Sequence, residues 1–137
     1  MELPASSILL NCIVIGAVLV YAPFLVVAYG RLKVGYEPGA PRAMFEKLPD
    51  YAKRATWAHQ NSFETFIVFT AASLMAYLTQ QDSILAIGAA VAFVIARFFY
   101  SIFYILNVPI GRSLMFVVSS SGTTILFILS LISINNF

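Results

Sequence analysis

The chain has 137 residues, of which 61% are hydrophobic and only 10% are charged, and its mean hydropathy is +0.89. A soluble domain carries about 25% charged residues, so this composition excludes an ordinary soluble domain and predicts a membrane protein. The formal net charge of +2 is unremarkable, and the sequence carries no nucleic-acid-binding signature. The single cysteine excludes an intrachain disulfide, and with one histidine the sequence predicts no metal site.

The first predicted membrane helix covers residues 8–29. This stretch is almost unbroken apolar sequence, interrupted by Asn11 and Pro23, and is long enough to span a bilayer. Proline is tolerated in membrane helices, where it can produce a kink. Because the stretch has neither a basic leader nor a small-residue cleavage site, it predicts a retained helix and not a signal peptide.

Residues 30–53 form the one extended polar segment. Glycine and proline interrupt it repeatedly, which predicts a structured loop or short interfacial pieces and not a continuous helix. Lysine and arginine outnumber the acidic residues, so the segment is predicted to lie on the cytoplasmic side. The charges are Arg31, Lys33, Arg42, Lys47 and Lys53 against Glu37, Glu46 and Asp50.

The second predicted helix, residues 54–78, brings polar side chains into an apolar span. Arg54, Trp57, Asn61 and Glu64 fall within an arc of roughly 80° on one helical face. Glu64 lies about 15 Å from Arg54 along the helix. A charge so deep costs about 2.5–3.5 kcal/mol, which predicts a functional site. The alternative is a polar seam that only holds helices together.

The third predicted helix, residues 83–106, carries its own polar stripe. Arg97, Tyr100 and Tyr104 fall within an arc of roughly 60°. Arg97 is predicted to lie at about the same depth as Glu64, so the two are predicted to pair. Small residues from Gly88 to Ala92 predict close packing with a neighbouring helix.

Arg112 opens the fourth predicted helix, residues 113–134, after the break at residues 107–111. Its serine and threonine run, residues 119–124, predicts a tight helix contact. The chain is therefore predicted to be an all-α integral membrane protein, a single four-transmembrane-helix bundle over residues 1–137. The basic first loop places both termini outside and residues 30–53 in the cytoplasm.

These side chains predict one polar pocket that opens to the cytoplasm. Arginines pair with carboxylates, a glutamate pairs with an amine and tyrosines supply hydroxyl groups, so a small zwitterion with several carboxylates is favoured. Glutathione fits that description, although the chemistry alone does not select it. The predicted lining is Arg54, Asn61, Glu64, Arg97, Tyr100, Tyr104 and Arg112.

Two motifs resemble those of the membrane-associated proteins in eicosanoid and glutathione metabolism, the MAPEG family. The first is Ala58-His-Gln-Asn-Ser-Phe-Glu64, with Arg54 seven residues before Asn61. The second is Arg97-Phe-Phe-Tyr-Ser-Ile-Phe-Tyr104, followed by Arg112 where the family has an arginine opening helix four. The chain length, the four spans and the basic loop agree, so the resemblance covers essentially the whole sequence.

The resemblance implies a homotrimer that binds glutathione between neighbouring subunits near the cytoplasmic side. Asn61 and Glu64 would contact the peptide, Tyr100 and Tyr104 would contact it from the adjoining subunit, and Arg112 would activate the thiol. Arg31 matches a basic position that can reach the glutathione carboxylates, and Arg54 and Arg97 complete the predicted glutathione-binding set. Trp57 departs from the family, which usually has an arginine there. His59 faces away from the stripe, so it is interpreted as structural.

Three functions stay open at the level of sequence. The first is a glutathione transferase or peroxidase that acts on lipophilic electrophiles in a membrane, and the expected membrane is a bacterial inner membrane. The second, favoured by Trp57, is a non-catalytic lipid-binding or scaffold protein of the same fold. The third is a small proton-coupled exporter that uses Glu64, against which the predicted pairing with Arg97 and the long basic loop both count.

Overall fold

A computed structural model describes residues 4–135, and four long α-helices make up most of them. No strand occurs within residues 4–135, so the described chain is an all-α bundle, as the composition predicts. The helices are α1, Ala5–Lys33; α2, Asp50–Leu78; α3, Ile84–Ile105; and α4, Pro109–Asn135, with a 3-10 helix, Pro41–Lys47, between α1 and α2. α1 packs mainly along α2, and α3 packs mainly along α4.

Three of these helices extend beyond the apolar runs from which the spans were predicted. α1 continues through Arg31 to Lys33, and α2 begins at Asp50 instead of residue 54. Helical hydrogen bonding does not stop where apolar residues stop, and these charges suit the helix ends that they occupy. Cations in the last turn and an anion in the first turn both interact favourably with the helix dipole. The polar segment is therefore partly helical at both of its ends.

Three helices, α1, α3 and α4, are long and apolar enough to cross a membrane. Among residues 4–135, α2 does not reach this hydropathy, because its first half carries charged and amide side chains. Large apolar side chains on the other helices are exposed, for example Leu25, Ile84 and Ile110. Such a surface is unfavourable in water and suits contact with lipid.

The main core lies where α2 and α3 cross. Phe69 and Phe93 stack face to face with ring centroids 3.8 Å apart, and Leu9 and Leu126 pack in the same cluster from α1 and α4. α4 approaches α3 closely at Gly122, where an added Cβ would lie 2.5 Å from the Ala89 carbonyl oxygen. The predicted tight contact of α4 is therefore centred on this glycine.

A second apolar cluster fastens the polar segment to the bundle. Val27 of α1 packs there with Leu48, which follows the 3-10 helix, and with Ala52 of α2. Gly30 allows the close approach of α1, since an added Cβ would lie 2.6 Å from the Ala52 Cβ. Met44, in the 3-10 helix, is only 1% exposed. The segment is thus a structured connection, in agreement with its composition.

α2 and α3 end in the same kind of turn. Gln80 and Asn107 follow these helices with φ of 56° and 59°. After α3, the N–H of Val108 donates to the Phe103 carbonyl at 2.8 Å, and the N–H of Asn107 donates to the Tyr104 carbonyl at 3.2 Å. This is the Schellman pattern, in which a left-handed residue satisfies the last carbonyls of a helix. It reverses the chain sharply and brings the first turn of α4 back onto the end of α3.

Candidate functional site

Arg97 is the buried centre of the polar site. Its side chain is 3% exposed, and its Nη2 donates to Asn61 Oδ1 at 2.9 Å and to Ser62 Oγ at 3.1 Å. The predicted ion pair between Arg97 and Glu64 is wrong for the chain described: the ion pairs within 4 Å among residues 4–135 join Lys47 to Glu37 and Lys53 to Glu46.

Helix geometry explains why Glu64 does not reach Arg97. Ser62 is buried on the face of α2 that meets α3, and Glu64, two residues later, points about 200° around the helix from it. Glu64 is accordingly exposed. Similar depth is therefore not enough to pair two charges, because Asn61 and Ser62 lie closer to the direction in which Arg97 extends.

Two arginines and two tyrosines form a continuous row, here called the Arg–Tyr row. The Arg97 Cζ lies 3.8 Å from the Tyr100 ring centroid, and the Arg112 Cζ lies 4.6 Å from the Tyr104 ring centroid. The two tyrosine rings meet edge to face at 5.6 Å. Cation–π contacts of this kind hold a guanidinium in place without neutralising it. Arg112, in the first turn of α4, thus keeps its charge available at the end of the row.

Arg54 and Trp57 lie beside the Tyr104 end of the row. The Arg54 Nε donates to the Ile105 carbonyl at 3.0 Å, so this arginine satisfies a carbonyl at the C-terminus of α3. The Trp57 ring lies 6.5 Å from that of Tyr104 and 5.7 Å from that of Phe45 in the 3-10 helix. Trp57 therefore covers part of the surface at the position where the resemblance to the MAPEG family implies an arginine.

Arg31 and His59 both contact the Phe24 ring of α1. The Arg31 Cζ is 5.6 Å from the Phe24 ring centroid. His59 contacts the same ring at 5.3 Å, and its Nδ1 is 2.7 Å from the Val20 carbonyl oxygen, to which it must donate. His59 thus joins α1 to α2 near Pro23, which agrees with a structural role. Among residues 4–135, no hydrogen bond or cation–π contact joins Arg31 to the Arg–Tyr row.

A cavity of about 360 Å³ lies between α2 and α4. Asn61 and Glu64 form its α2 wall together with Thr65 and Val68. Its other walls are Phe93, Phe116, Ser119, Ser120, Thr123, Thr124 and Phe127. From sequence alone, residues 119–124 are predicted only as a packing surface. Their high polarity in an apolar span was the available signal, but it does not distinguish a helix contact from a cavity lining.

Ser62 and Phe116 are further site residues that the sequence did not reveal. Ser62 is one of the two partners of Arg97, and the Phe116 ring lies 6.4 Å from that of Tyr100. A serine next to a motif asparagine and a phenylalanine in an apolar helix are both common. Neither therefore carried a signal that could be recognised before the helices were placed.

Comparison with known proteins supports the resemblance of the motifs. A model of the MAPEG family matches residues 8–132. A comparison with curated proteins gave no match, and neither did a comparison with solved structures. Because the family match covers nearly the whole described bundle, this integral membrane protein belongs to the MAPEG family.

Proposed function

We propose that this protein is a membrane-bound, glutathione-dependent transferase or peroxidase that acts on lipophilic electrophiles. The MAPEG family includes glutathione transferases and peroxidases as well as other members. The observation that carries the proposal is the Arg–Tyr row, in which Arg112 is held against Tyr104 with its charge available. Glutathione would bind between neighbouring subunits of a homotrimer, near the cytoplasmic side.

The side chains around the row fit the chemistry of the peptide. Arg97 donates a hydrogen bond to Asn61 Oδ1. The amide N–H groups of Asn61 can therefore donate to a carbonyl or carboxylate of the ligand. Glu64 has no ion-pair partner within 4 Å among residues 4–135 and can accept from an ammonium group. Arg112 and the tyrosine hydroxyls supply donors for the remaining carboxylate and sulfur. Arg97 acts indirectly, by orienting Asn61.

Glutathione supplies a thiol, which is nucleophilic only as the thiolate. Arg112 would favour the thiolate over the thiol, because a neighbouring guanidinium stabilises a negative sulfur. A guanidinium cannot itself accept the proton, so the proton would pass to water at the cytoplasmic end. Tyr104 would keep Arg112 in place through its ring and can donate its hydroxyl hydrogen to the sulfur. The bilayer would deliver the electrophile.

The replacement Arg112→Ala tests this proposal. We expect the ultraviolet absorbance of bound thiolate to disappear near neutral pH, where free thiols with a pKa of about 8.5 stay protonated. Conjugation of chlorodinitrobenzene should fall about 100-fold, as when one electrostatic donor is removed from an active site, while glutathione affinity changes much less. Arg42→Ala is the matched control, because Arg42 is an exposed arginine of the polar segment. An equal effect of both replacements, or no glutathione binding by the unaltered protein at millimolar concentration, would refute the transferase proposal.

A non-catalytic lipid-binding or scaffold function is the second candidate, and Trp57 favours it. Trp57 is 44% exposed and its ring lies beside the Tyr104 end of the row, where it adds apolar surface in place of a carboxylate-binding fork. The predicted pairing of Glu64 with Arg97 was one of two arguments against a proton-coupled exporter, and that pairing is absent among residues 4–135. Membership of the MAPEG family nevertheless gives the exporter hypothesis no support. In each case we place residues 30–53 in the cytoplasm of a bacterial cell, with the protein in the inner membrane.

The replacement Trp57→Arg separates the two candidates. If the tryptophan has removed glutathione binding, the unaltered protein should bind none and Trp57→Arg should create binding, because a guanidinium pairs with a carboxylate through two hydrogen bonds. If the protein is a transferase, it should bind glutathione already, and Trp57→Arg should tighten binding several-fold. Trp57→Leu removes the ring without adding the fork and should not improve binding. Calorimetry in detergent provides the measurement.

A further inference from the structure

Lys53 lies near the start of α2, although the sequence predicts it as a charge of the polar segment. α2 begins at Asp50, so helical geometry extends back through Lys53. At about 100° per residue, Lys53, Trp57 and Glu64 fall within an arc of roughly 40°. Lys53 is therefore one turn before Trp57, on the same face of α2 as the site residue Glu64.

The charge of Lys53 has only a weak partner. Its side chain is 24% exposed, and the one carboxylate within 4 Å of its Nζ among residues 4–135 is that of Glu46, at 3.9 Å. That distance is too long for a hydrogen bond, and Glu46 is 86% exposed, so solvent screens the pair. A cation near the start of a helix also opposes the helix dipole. The ammonium group can therefore exchange Glu46 for a carboxylate of a ligand.

Aromatic rings connect Lys53 to the Arg–Tyr row. Its Nζ lies 5.7 Å from the Phe45 ring centroid, and the Phe45 ring lies 5.7 Å from that of Trp57. The Trp57 ring is in turn 6.5 Å from that of Tyr104, the tyrosine that holds Arg112. A cation–π contact restrains an ammonium group without neutralising it. A second cation is thus held beyond Trp57, next to the end of the row where the thiol is proposed to bind.

The spacing of charges along α2 matches an extended tripeptide. Lys53 lies about 16 Å from Glu64 along the helix axis. An extended tripeptide spans about 10 Å, and the side chains of the lysine and the glutamate cover the remainder. With the ammonium group of glutathione at Glu64, the glycine carboxylate at the other end of the peptide lies towards Lys53.

Lys53 also compensates for the departure at Trp57. The resemblance to the MAPEG family implies an arginine there, whose guanidinium would pair with a carboxylate. Trp57 has removed that group, whereas Lys53 presents a positive charge one turn away on the same face. We propose that Lys53 releases Glu46 and binds the glycine carboxylate of glutathione. This inference rests on the proposed function and assigns one further residue to its site.

A glutathione ester tests the role of Lys53. Calorimetry of the full chain in detergent compares glutathione with its glycine ethyl ester, in which the glycine carboxylate is neutral. The unaltered protein should bind the acid at least tenfold more tightly than the ester. Lys53→Met should reduce this preference about tenfold, which corresponds to about 1.4 kcal/mol, whereas Lys53→Arg should retain it. The thiolate absorbance at saturating glutathione should persist in Lys53→Met, because Arg112 is intact.

Two further variants complete the test. Lys47→Met is the matched control, because Lys47 is an exposed lysine with its own partner, Glu37, and the preference should persist. Glu46→Gln removes the same ion pair but keeps Lys53, so it should bind glutathione at least as tightly as the unaltered protein. A preference that Lys53→Met leaves unchanged, or that Glu46→Gln abolishes, would refute the role of Lys53 and leave the transferase proposal standing. Absence of glutathione binding by the unaltered protein would refute both.

Discussion

For Arg97, the sequence predicts burial on a face shared with Tyr100 but not the hydrogen-bond partners. Its place in an apolar helix correctly indicated a buried cation that needs partners, and its spacing from Tyr100 correctly indicated a shared face. The partners themselves were predicted wrongly, because reasoning from charge selected Glu64. The actual partners are a neutral amide and a hydroxyl, and their selection depends on how α2 is rotated against α3, which an isolated sequence does not specify.

A double-mutant cycle tests this revised pairing. Arg97→Met and Asn61→Leu should each lower the free energy of unfolding by about 1.5–3 kcal/mol, the range for hydrogen bonds to charged groups. Their combined effect should be smaller than the sum by about 0.5–3 kcal/mol, because the two side chains share one interaction. Unfolding in mixed micelles gives the free energies. The control cycle joins Arg97→Met with Glu64→Gln and should be additive; coupling in that cycle would restore the ion pair that the structure lacks.

At the scale of elements, the apolar runs predicted four long helices, whereas the helix ends depended on local chemistry. α4 begins at Pro109 and not at residue 113, because proline suits the first helical position and the left-handed Asn107 ends α3 just before it. This turn places Arg112 inside the first helical turn, against Tyr104. The run of residues 119–124 was ambiguous for a related reason, since Gly122 packs on α3 while Ser120 and Thr124 line the cavity.

The two Schellman turns provide a matched pair of substitutions. Asn107→Val and Gln80→Val each force a β-branched residue into positive φ, and each should cost about 1–2 kcal/mol of stability. Thermal unfolding should show similar losses for both. Glutathione conjugation should fall only for Asn107→Val, measured well below the unfolding temperature, because only that turn positions Arg112. Asn107→Gly should retain activity, since glycine adopts this conformation readily. Equal loss of activity in the two valine variants would show that the turn has no specific role.

At the scale of the whole molecule, a single subunit leaves the predicted site incomplete. Arg31 packs on the Phe24 ring of its own helix, α1, and among residues 4–135 it makes no hydrogen bond or cation–π contact with the Arg–Tyr row. Glu64 is exposed on α2. A carboxylate that faces hydrocarbon costs about 2.5–3.5 kcal/mol. A ring of subunits in which the α1 side of one faces the α2–α4 side of the next would cover Glu64 and bring Arg31 to a neighbouring site. Sequence composition could not reveal this arrangement, because it concerns surfaces that different chains share.

We therefore predict a homotrimer with shared sites. Static light scattering in a mild detergent should give a protein mass three times the chain mass of 15.1 kDa, since a head-to-tail interface closes into a ring.

The sharper test uses mixed trimers. Homotrimers of Arg31→Ala and homotrimers of Arg112→Ala should both conjugate glutathione poorly, because each lacks one residue at every site. Co-expressed subunits should recover part of the activity, since an unaltered Arg31 from one subunit can then meet an unaltered Arg112 from its neighbour. A monomer or dimer as the sole species, or mixed assemblies no more active than either parent, would rule out sites built between subunits.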